Sequence, residues 1–311
     1  MKLVMLGTGP FAVPTLRALA AGPHEVLLVV SRPFKGRKNA PKPPMHDAAA
    51  ELGIELWTPP SVNLPESIER LESLGADLLV VCDYGEILKP AALGATKLGG
   101  VNLHGSLLPK YRGAAPVQWA VLSGDAVTGN TVIQMTAGLD AGPCLAQQKV
   151  EIDPDETAGQ LEERLADLGA EAVVEVVEKL AAGTAEPVEQ EHTAASKAPR
   201  LAKQDGLVDW TLSAGEIKNR ARALSPWPRT FSFWQIEGRE PLRVVIDRVQ
   251  VESEMSIDSL SPGETQSETG RLFVGTGAGL LEILELQPAG KRLMQAAEFL
   301  RGYAGGRFVS E

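Results

Sequence analysis

Five short apolar runs in the first half of the chain, Leu3 to Leu6, Val26 to Ser31, Leu78 to Asp83, Gly100 to His104 and Thr131 to Met135, alternate with stretches of helical period. Strands spaced by helices cannot pair through tight hairpins, so each helix must carry the chain back across a sheet. The pattern therefore predicts a Rossmann-like, mostly parallel α/β sheet flanked by helices. Helices are expected at about Ala12 to Ala21, Met45 to Leu52, Pro65 to Leu74, Ala115 to Ser123 and Ala158 to Ala181. In open sheets of this kind ligands gather at the carboxyl ends of the strands.

One strand end is chemically unusual. The run at Gly100 leads into Asn102-Leu103-His104-Gly105-Ser106, and side chains at i, i+2 and i+4 of an extended chain project together. An amide donor, a titratable imidazole and a hydroxyl thus meet where the strand gives way to a loop. From the residues alone this is either a site or a strand end whose polar groups cap neighbouring backbone. Another strand end, Gly7-Thr8-Gly9, suggests a dinucleotide turn, but Ala12 replaces the third glycine and the next strand runs into Ser31-Arg32-Pro33, without a ribose-binding carboxylate. A tight strand-to-helix turn suffices there.

The remaining composition excludes other classes. No apolar run of about 18 residues marks a membrane span, and Met1-Lys2 leads straight into a strand without the basic flank and cleavage site of an export signal. The cytoplasm is the expected compartment. Cys82 and Cys144 lie far apart in apolar segments and read as buried, reduced thiols, while His24, His46, His104 and His192 form no paired ligand motif. No metal is expected. Residues 151–178 carry −9 of the formal net charge of −10, with Arg164 the lone cation among them, so the remainder is close to neutral. That segment reads as a solvated acidic face on a helix with Leu161, Leu165, Leu168 and Val173 inward.

Residues 1–181 are expected to form one domain and 182–200, rich in Ala, Thr, Glu and Pro, a linker. Beyond 201, short strand patterns (Phe231 to Ile236, Leu242 to Val251, Gly270 to Gly275, Leu280 to Glu285) suggest a small β-barrel in 201–311, with the polar span Glu252 to Thr269 as a mobile loop.

Asn102-x-His104-x-Ser106-Leu107-Leu108-Pro109, followed by Tyr111-Arg112-Gly113 and by Gly138-Leu139-Asp140-Ala141-Gly142, resembles the signature of the 10-formyltetrahydrofolate-dependent formyltransferases. Gly113-Ala114-Ala115-Pro116-Val117-Gln118 and Leu286-Gln287-Pro288-Ala289-Gly290-Lys291 resemble the methionyl-tRNA formyltransferases among them, and the likeness runs from Leu3 to about Arg301. It implies an OB-like C-terminal barrel that binds tRNA, and transfer of formyl from 10-formyltetrahydrofolate to the α-amino group of initiator methionyl-tRNA, without metal, by a monomer. A sugar-nucleotide N-formyltransferase is the alternative, since it shares the catalytic motif. A non-catalytic RNA-binding barrel protein is disfavoured by the intact Asn-x-His strand.

The resemblance also assigns roles. Asn102 would donate to the developing oxyanion, His104 would assist it as a cation, and Asp140, otherwise an ordinary turn residue, would orient and charge His104. Ser106, Leu107, Leu108 and Pro109 would form a flat wall with exposed backbone for the pterin, closed by the loop holding Tyr84, Gly85 and Leu88. By composition the stretch containing Arg32, Lys35, Arg37, Lys38 and Lys42 is either a solvated Pro-rich loop or a contact surface, and the resemblance implies that it meets the acceptor arm through Arg37, Lys38 and Lys42. Lys218, Arg220 and Arg222 form another basic run, read from the residues themselves as a second phosphate-contact surface. The family usually has proline where Gly9 stands, so a looser turn is expected there.

Overall fold

A computed structural model describes residues 1–34, 36, 41–252 and 260–309. The chain divides into two compact units, one comprising residues 1–116, 127–151 and 161–199, the other residues 117–126, 152–160 and 200–311.

The strands of the first unit are β1 (Lys2–Gly7), β2 (Glu25–Val30), β3 (Leu56–Trp57), β4 (Leu78–Cys82), β5 (Gly100–His104), β6 (Arg112–Gly113), β7 (Val127–Gln134), β8 (Cys144–Glu151) and β9 (Lys197–Ala198). The helices in the chain up to this point are α1 (Val13–Ala21), α2 (Pro44–Leu52), α3 (Pro65–Ser73), α4 (Pro90–Leu93), α5 (Pro116–Leu122) and α6 (Ala158–Ala182). Seven strands make one sheet in the order β3-β2-β1-β4-β5-β7-β8. Pairings from β3 to β5 are parallel, whereas β7 runs antiparallel to both β5 and β8. Leu3 to Leu6 and Leu78 to Val80 are wholly buried, which is why these strands read as unbroken apolar runs. Strand β8 escapes a hydrophobicity reading because Gln147, Gln148 and Lys149 sit in its middle. Cys82 is buried as expected, but Cys144, opening β8, is only half-buried; both are free thiols.

The second unit is built on β10 (Thr230–Gln235), β11 (Leu242–Glu252), β12 (Thr265–Glu268), β13 (Arg271–Gly275), β14 (Leu280–Pro288), β15 (Met294–Gln295) and β16 (Arg307–Val309), with α7 (Ala214–Ala223) and α8 (Ala296–Tyr303). These strands form an antiparallel, OB-like half-barrel in the order β12-β13-β14-β11-β10-β16, with β15 beside β14. Its largely aliphatic core holds an aromatic cluster: Trp234 meets Phe299 and Phe308 edge-on, and Trp210 stacks on Phe308 at 5.1 Å. The span expected as a loop from Glu252 to Thr269 contains β12. Its Thr-Gln-Ser-Glu side chains are largely exposed on a sheet edge, so apolar alternation gives no signal. Residues 253–259 of that span lie outside the described residues.

Candidate active site

Strand β5 sets the site because it lies between a parallel and an antiparallel neighbour, with Asn102 opposite Val81 on one side and Ile133 on the other. Val101 and Leu103 are buried in the core, so Asn102 and His104 face the other way. Asn102 is half-buried, and among the described residues its side chain makes no hydrogen bond within the protein. Its amide donors are therefore free for a ligand.

His104 is 5% exposed, and its Nε2 lies 2.9 Å from the carbonyl of Tyr111. A carbonyl only accepts, so Nε2 carries a hydrogen and any second proton must go to Nδ1. That nitrogen is 3.8 Å from Asp140 Oδ2. The separation is too long for a direct hydrogen bond, yet an atom about 2.8 Å from each could bond to both. Asp140 is held by its backbone, in the left-handed region at φ 48°, and by the Gly113 N–H, which donates to Oδ2 at 2.9 Å. Gly113 is required at its position. A Cβ there would meet the Ala198 carbonyl oxygen at 2.4 Å, and its φ of 133° suits only glycine.

The strand carrying Ala198, β9, belongs to the span expected as a linker. That span is tied to the first unit by the β6–β9 pairing, a Cys144–Val188 bridge and a bond from the Tyr111 N–H to Ser196 Oγ. Its Gln190, 6% exposed, donates to the carbonyls of Asp140 and Gly142 and accepts from Arg112. The only sequence cue to Gln190 is an amide in a stretch otherwise poor in structure.

The expected pterin wall differs from its description. Ser106 is fully buried and donates to the Lys110 carbonyl, and its own carbonyl accepts from Thr131 Oγ1. Leu108 is also buried, its N–H bound to Thr131 and its carbonyl to Gln147, and the Pro109 carbonyl accepts from Ser196. The backbone here is committed to holding the loop, which leaves Leu107 and Pro109 as an apolar surface. Free backbone is found instead in the segment after β4. Tyr84 and Leu88 are buried in the core, but among the described residues the N–H groups of Gly85, Glu86, Ile87 and Leu88 have no acceptor.

That segment is fixed by a polar cluster invisible to motif reading. Glu86 accepts from Arg32, Ser61 and the Asn63 amide, and Asn63 also donates to the Ile87 carbonyl. Burial, then the charge of Glu86, pushes the Tyr84 phenol up to about 12, so it stays protonated. Arg32, counted with the basic stretch, is an anchor of this cluster. The turn after β1 belongs to it too, since Thr8 donates to the Tyr84 carbonyl and accepts from the Arg32 N–H. The turn is thus not loose. What Gly9 supplies is room, for a Cβ there would lie 1.7 Å from Asp83 Oδ2.

Asp83 follows β4 directly. Asp83 is exposed to solvent, yet the protein crowded around its carboxyl, then the charge of Glu162, pushes it up to about 6, partly offset by the Gly9 N–H. The unfolded value is about 3.9, so the native state holds this proton more tightly, and the associated stability is present below about pH 4 and lost as pH rises to about 6. Asp83→Asn is expected to raise the melting midpoint at pH 7.5 by about 1 °C and to leave it unchanged near pH 4, the effect being limited by the solvent that reaches this exposed residue. A midpoint at or below wild type at pH 7.5 would contradict this.

The basic residues fare unevenly. Arg37 and Lys38 lie outside the described residues, and Lys42 is exposed just before α2. The set on α7 is not a free surface. Lys218 pairs with Asp155 at 2.6 Å, Arg220 donates to the Asp205 carbonyl, and Arg222 binds Asn219 and the carbonyls of Asp153 and Glu156. The acidic segment expected as a solvated face supplies several of these partners. Among the described residues no group of three His, Cys, Asp or Glu could hold a metal, and no helix is long and apolar enough to cross a membrane.

Comparison with known proteins matches this arrangement on both units. Residues 1–177 fit the family described as formyl transferase and residues 200–304 its C-terminal domain. The chain is 43% identical to a methionyl-tRNA formyltransferase of Rhodopirellula baltica, covering 97% of this chain and 94% of that protein. It is 41% identical to one from Desulfotalea psychrophila over 97% and 93%. In fold it resembles an N-formyltransferase of Helicobacter canadensis solved with folinic acid and dTDP-3-aminofucose, with a TM-score of 0.70, 18% identity and coverage of 91% and 98%.

Proposed function

This chain belongs to the formyltransferase family, and on that premise we infer that the strand end carrying Asn102 and His104 moves formyl from 10-formyltetrahydrofolate to the α-amino group of methionyl-tRNA. The initiator tRNA is the acceptor, and the enzyme works as a monomer in the cytoplasm. The observation that carries the site assignment is the uncommitted Asn102 amide beside the His104–Asp140 pair.

The amine nitrogen attacks the formyl carbon, a tetrahedral centre forms, and the bond to N10 breaks as that nitrogen takes a proton. Asn102 donates to the oxygen that becomes anionic. An α-amino group has an ordinary pKa of about 7.7–8.0, so a useful fraction of it is already neutral near pH 7 and proton removal after attack is the greater demand. His104 Nδ1 and Asp140 Oδ2, 3.8 Å apart, can both contact the attacking nitrogen and take up its charge. Leu107 and Pro109 offer the pterin an apolar face, and the N–H groups from Gly85 to Leu88 its polar edge.

Purified protein with 10-formyltetrahydrofolate should formylate methionyl-tRNA and leave an amino-sugar nucleotide untouched; the reverse preference would assign it to the sugar-modifying branch. The acceptor arm is proposed to meet the loop of Arg37, Lys38 and Lys42. Replacing the three together by alanine is expected to weaken use of methionyl-tRNA and to lower the log-log salt slope by roughly 0.7 to 0.9 per lost contact, with folate binding intact. A wild-type salt slope would remove the loop from tRNA recognition.

A further inference from the structure

With Lys218, Arg220 and Arg222 committed inside the second unit, its free positive charge lies elsewhere. The turn from Pro288 to Lys291, at the end of β14, closes one side of a pocket of about 290 Å³ whose other walls include Arg229 and Arg243. That volume is at or below the lower limit for burying a whole drug-sized ligand, so it suits a group such as one phosphate of a longer molecule.

The pocket is prepared for an anion. Arg229 is held by Asp247 at 2.6 Å and by Gln287 at 2.7 Å, and Gln287 in turn donates to the Lys291 carbonyl. Asp247 is the one carboxylate in this network. Arg243 lies 4.0 Å over the Phe231 ring, and among the described residues it pairs with no acid. Burial, then the charge of Arg229, lowers its pKa, the direction expected of a cation beside another without compensation. The Gly290 N–H has no protein acceptor among the described residues, and Lys291, the next residue in the chain, is exposed. Two guanidinium groups and a free N–H therefore line the pocket, and the carboxylate of Asp247 pairs with only one of them.

An aromatic platform adjoins this pocket in the chain. Trp227, next to the wall residue Pro228, is 52% exposed, while the buried tryptophans Trp210 and Trp234 are 3% and 2% exposed. A cationic pocket one residue from an exposed indole is the combination that binds single-stranded nucleic acid, charge gripping the backbone and the ring stacking on a base.

We propose that Arg229, Arg243 and the Gly290 N–H bind a phosphate of the tRNA substrate, with Trp227 stacking on an unpaired base beside it. The proposal rests on methionyl-tRNA being the acceptor. Arg243→Gln removes the charge while keeping contact with Phe231, and Trp227→Ala removes the platform from an exposed position, so both should fold. Thermal melts check this, and Lys291→Ala gives a second charge deletion on an exposed turn.

The test titrates each variant with unacylated initiator tRNA across a range of KCl concentrations and measures formylation of methionyl-tRNA. Arg243→Gln is expected to weaken tRNA binding about 10-fold and to lower the log-log salt slope by roughly 0.7 to 0.9. Trp227→Ala is expected to weaken it about 10-fold with the slope unchanged, because stacking releases no counterions. KM for methionyl-tRNA should rise in both, with kcat and KM for 10-formyltetrahydrofolate at wild-type values. Wild-type tRNA affinity and salt slope in folded Arg243→Gln and Trp227→Ala overturn the proposal. Failure of the wild-type protein to formylate methionyl-tRNA instead overturns the reading on which it rests.

Discussion

Asn102→Ala is expected to lower kcat by about 100- to 1000-fold while leaving the melting midpoint within about 1 °C of wild type. The two halves of this result have one cause. Because the Asn102 side chain is half-buried and makes no hydrogen bond within the protein among the described residues, its removal breaks nothing that holds the fold. Donation to an oxygen that gains charge only in the transition state is lost entirely, and such contacts affect kcat more than KM. Asn102→Asp keeps the shape and turns the donor into an anion, so it should fall at least as far. Single-turnover rates at saturating folate and methionyl-tRNA measure the effect, and a rate within about fivefold of wild type would remove Asn102 from the oxyanion role.

Much of the scaffold was legible because its chemistry is one-dimensional. A strand buried on both faces must be an apolar run, and Leu3–Leu6 and Leu78–Val80 are of that kind. The pairing of Asn102 with His104 on one face follows from period two alone. Less was legible wherever position depends on a partner far along the chain. Strand β8 is an edge with polar residues, Gln190 reaches the Asp140 loop from 50 residues away, and Glu86 gains its place only when β2, β4 and the Ser61 turn converge. Ser106 shares the alternation of Asn102 and His104 but lies past the strand end, where the chain turns and its hydroxyl serves Lys110.

Charge was the least readable property. A run such as Lys218, Arg220 and Arg222 looks like a phosphate surface, yet its partners, Asp155 and the carbonyls of Asp153, Glu156 and Asp205, come from separate segments. Conversely Arg229 and Arg243 stand apart in sequence and meet only because β10 and β11 are neighbours in the half-barrel. A cluster of cations in sequence says how much charge is present, and only the fold says how much remains to be used.

The second large effect expected is at Asp140, where two variants separate charge from geometry. Asp140→Asn can still accept from the Gly113 N–H through its amide oxygen, so the turn that closes on Ala198 should persist and the melting midpoint should hold. The anion facing His104 Nδ1 is gone, however, and with it the carboxylate that would take up the charge of the attacking amine. A loss of at least about 100-fold in kcat is expected, with KM for 10-formyltetrahydrofolate changed by less than about fivefold. Asp140→Ala should lose as much activity and in addition about 1 kcal/mol of stability, because the Gly113 N–H is left without its acceptor. If Asp140→Asn instead retains wild-type kcat while Asp140→Ala is inactive, the carboxylate acts only by holding the Gly113 turn, and proton removal from the amine must be assigned to His104 and water.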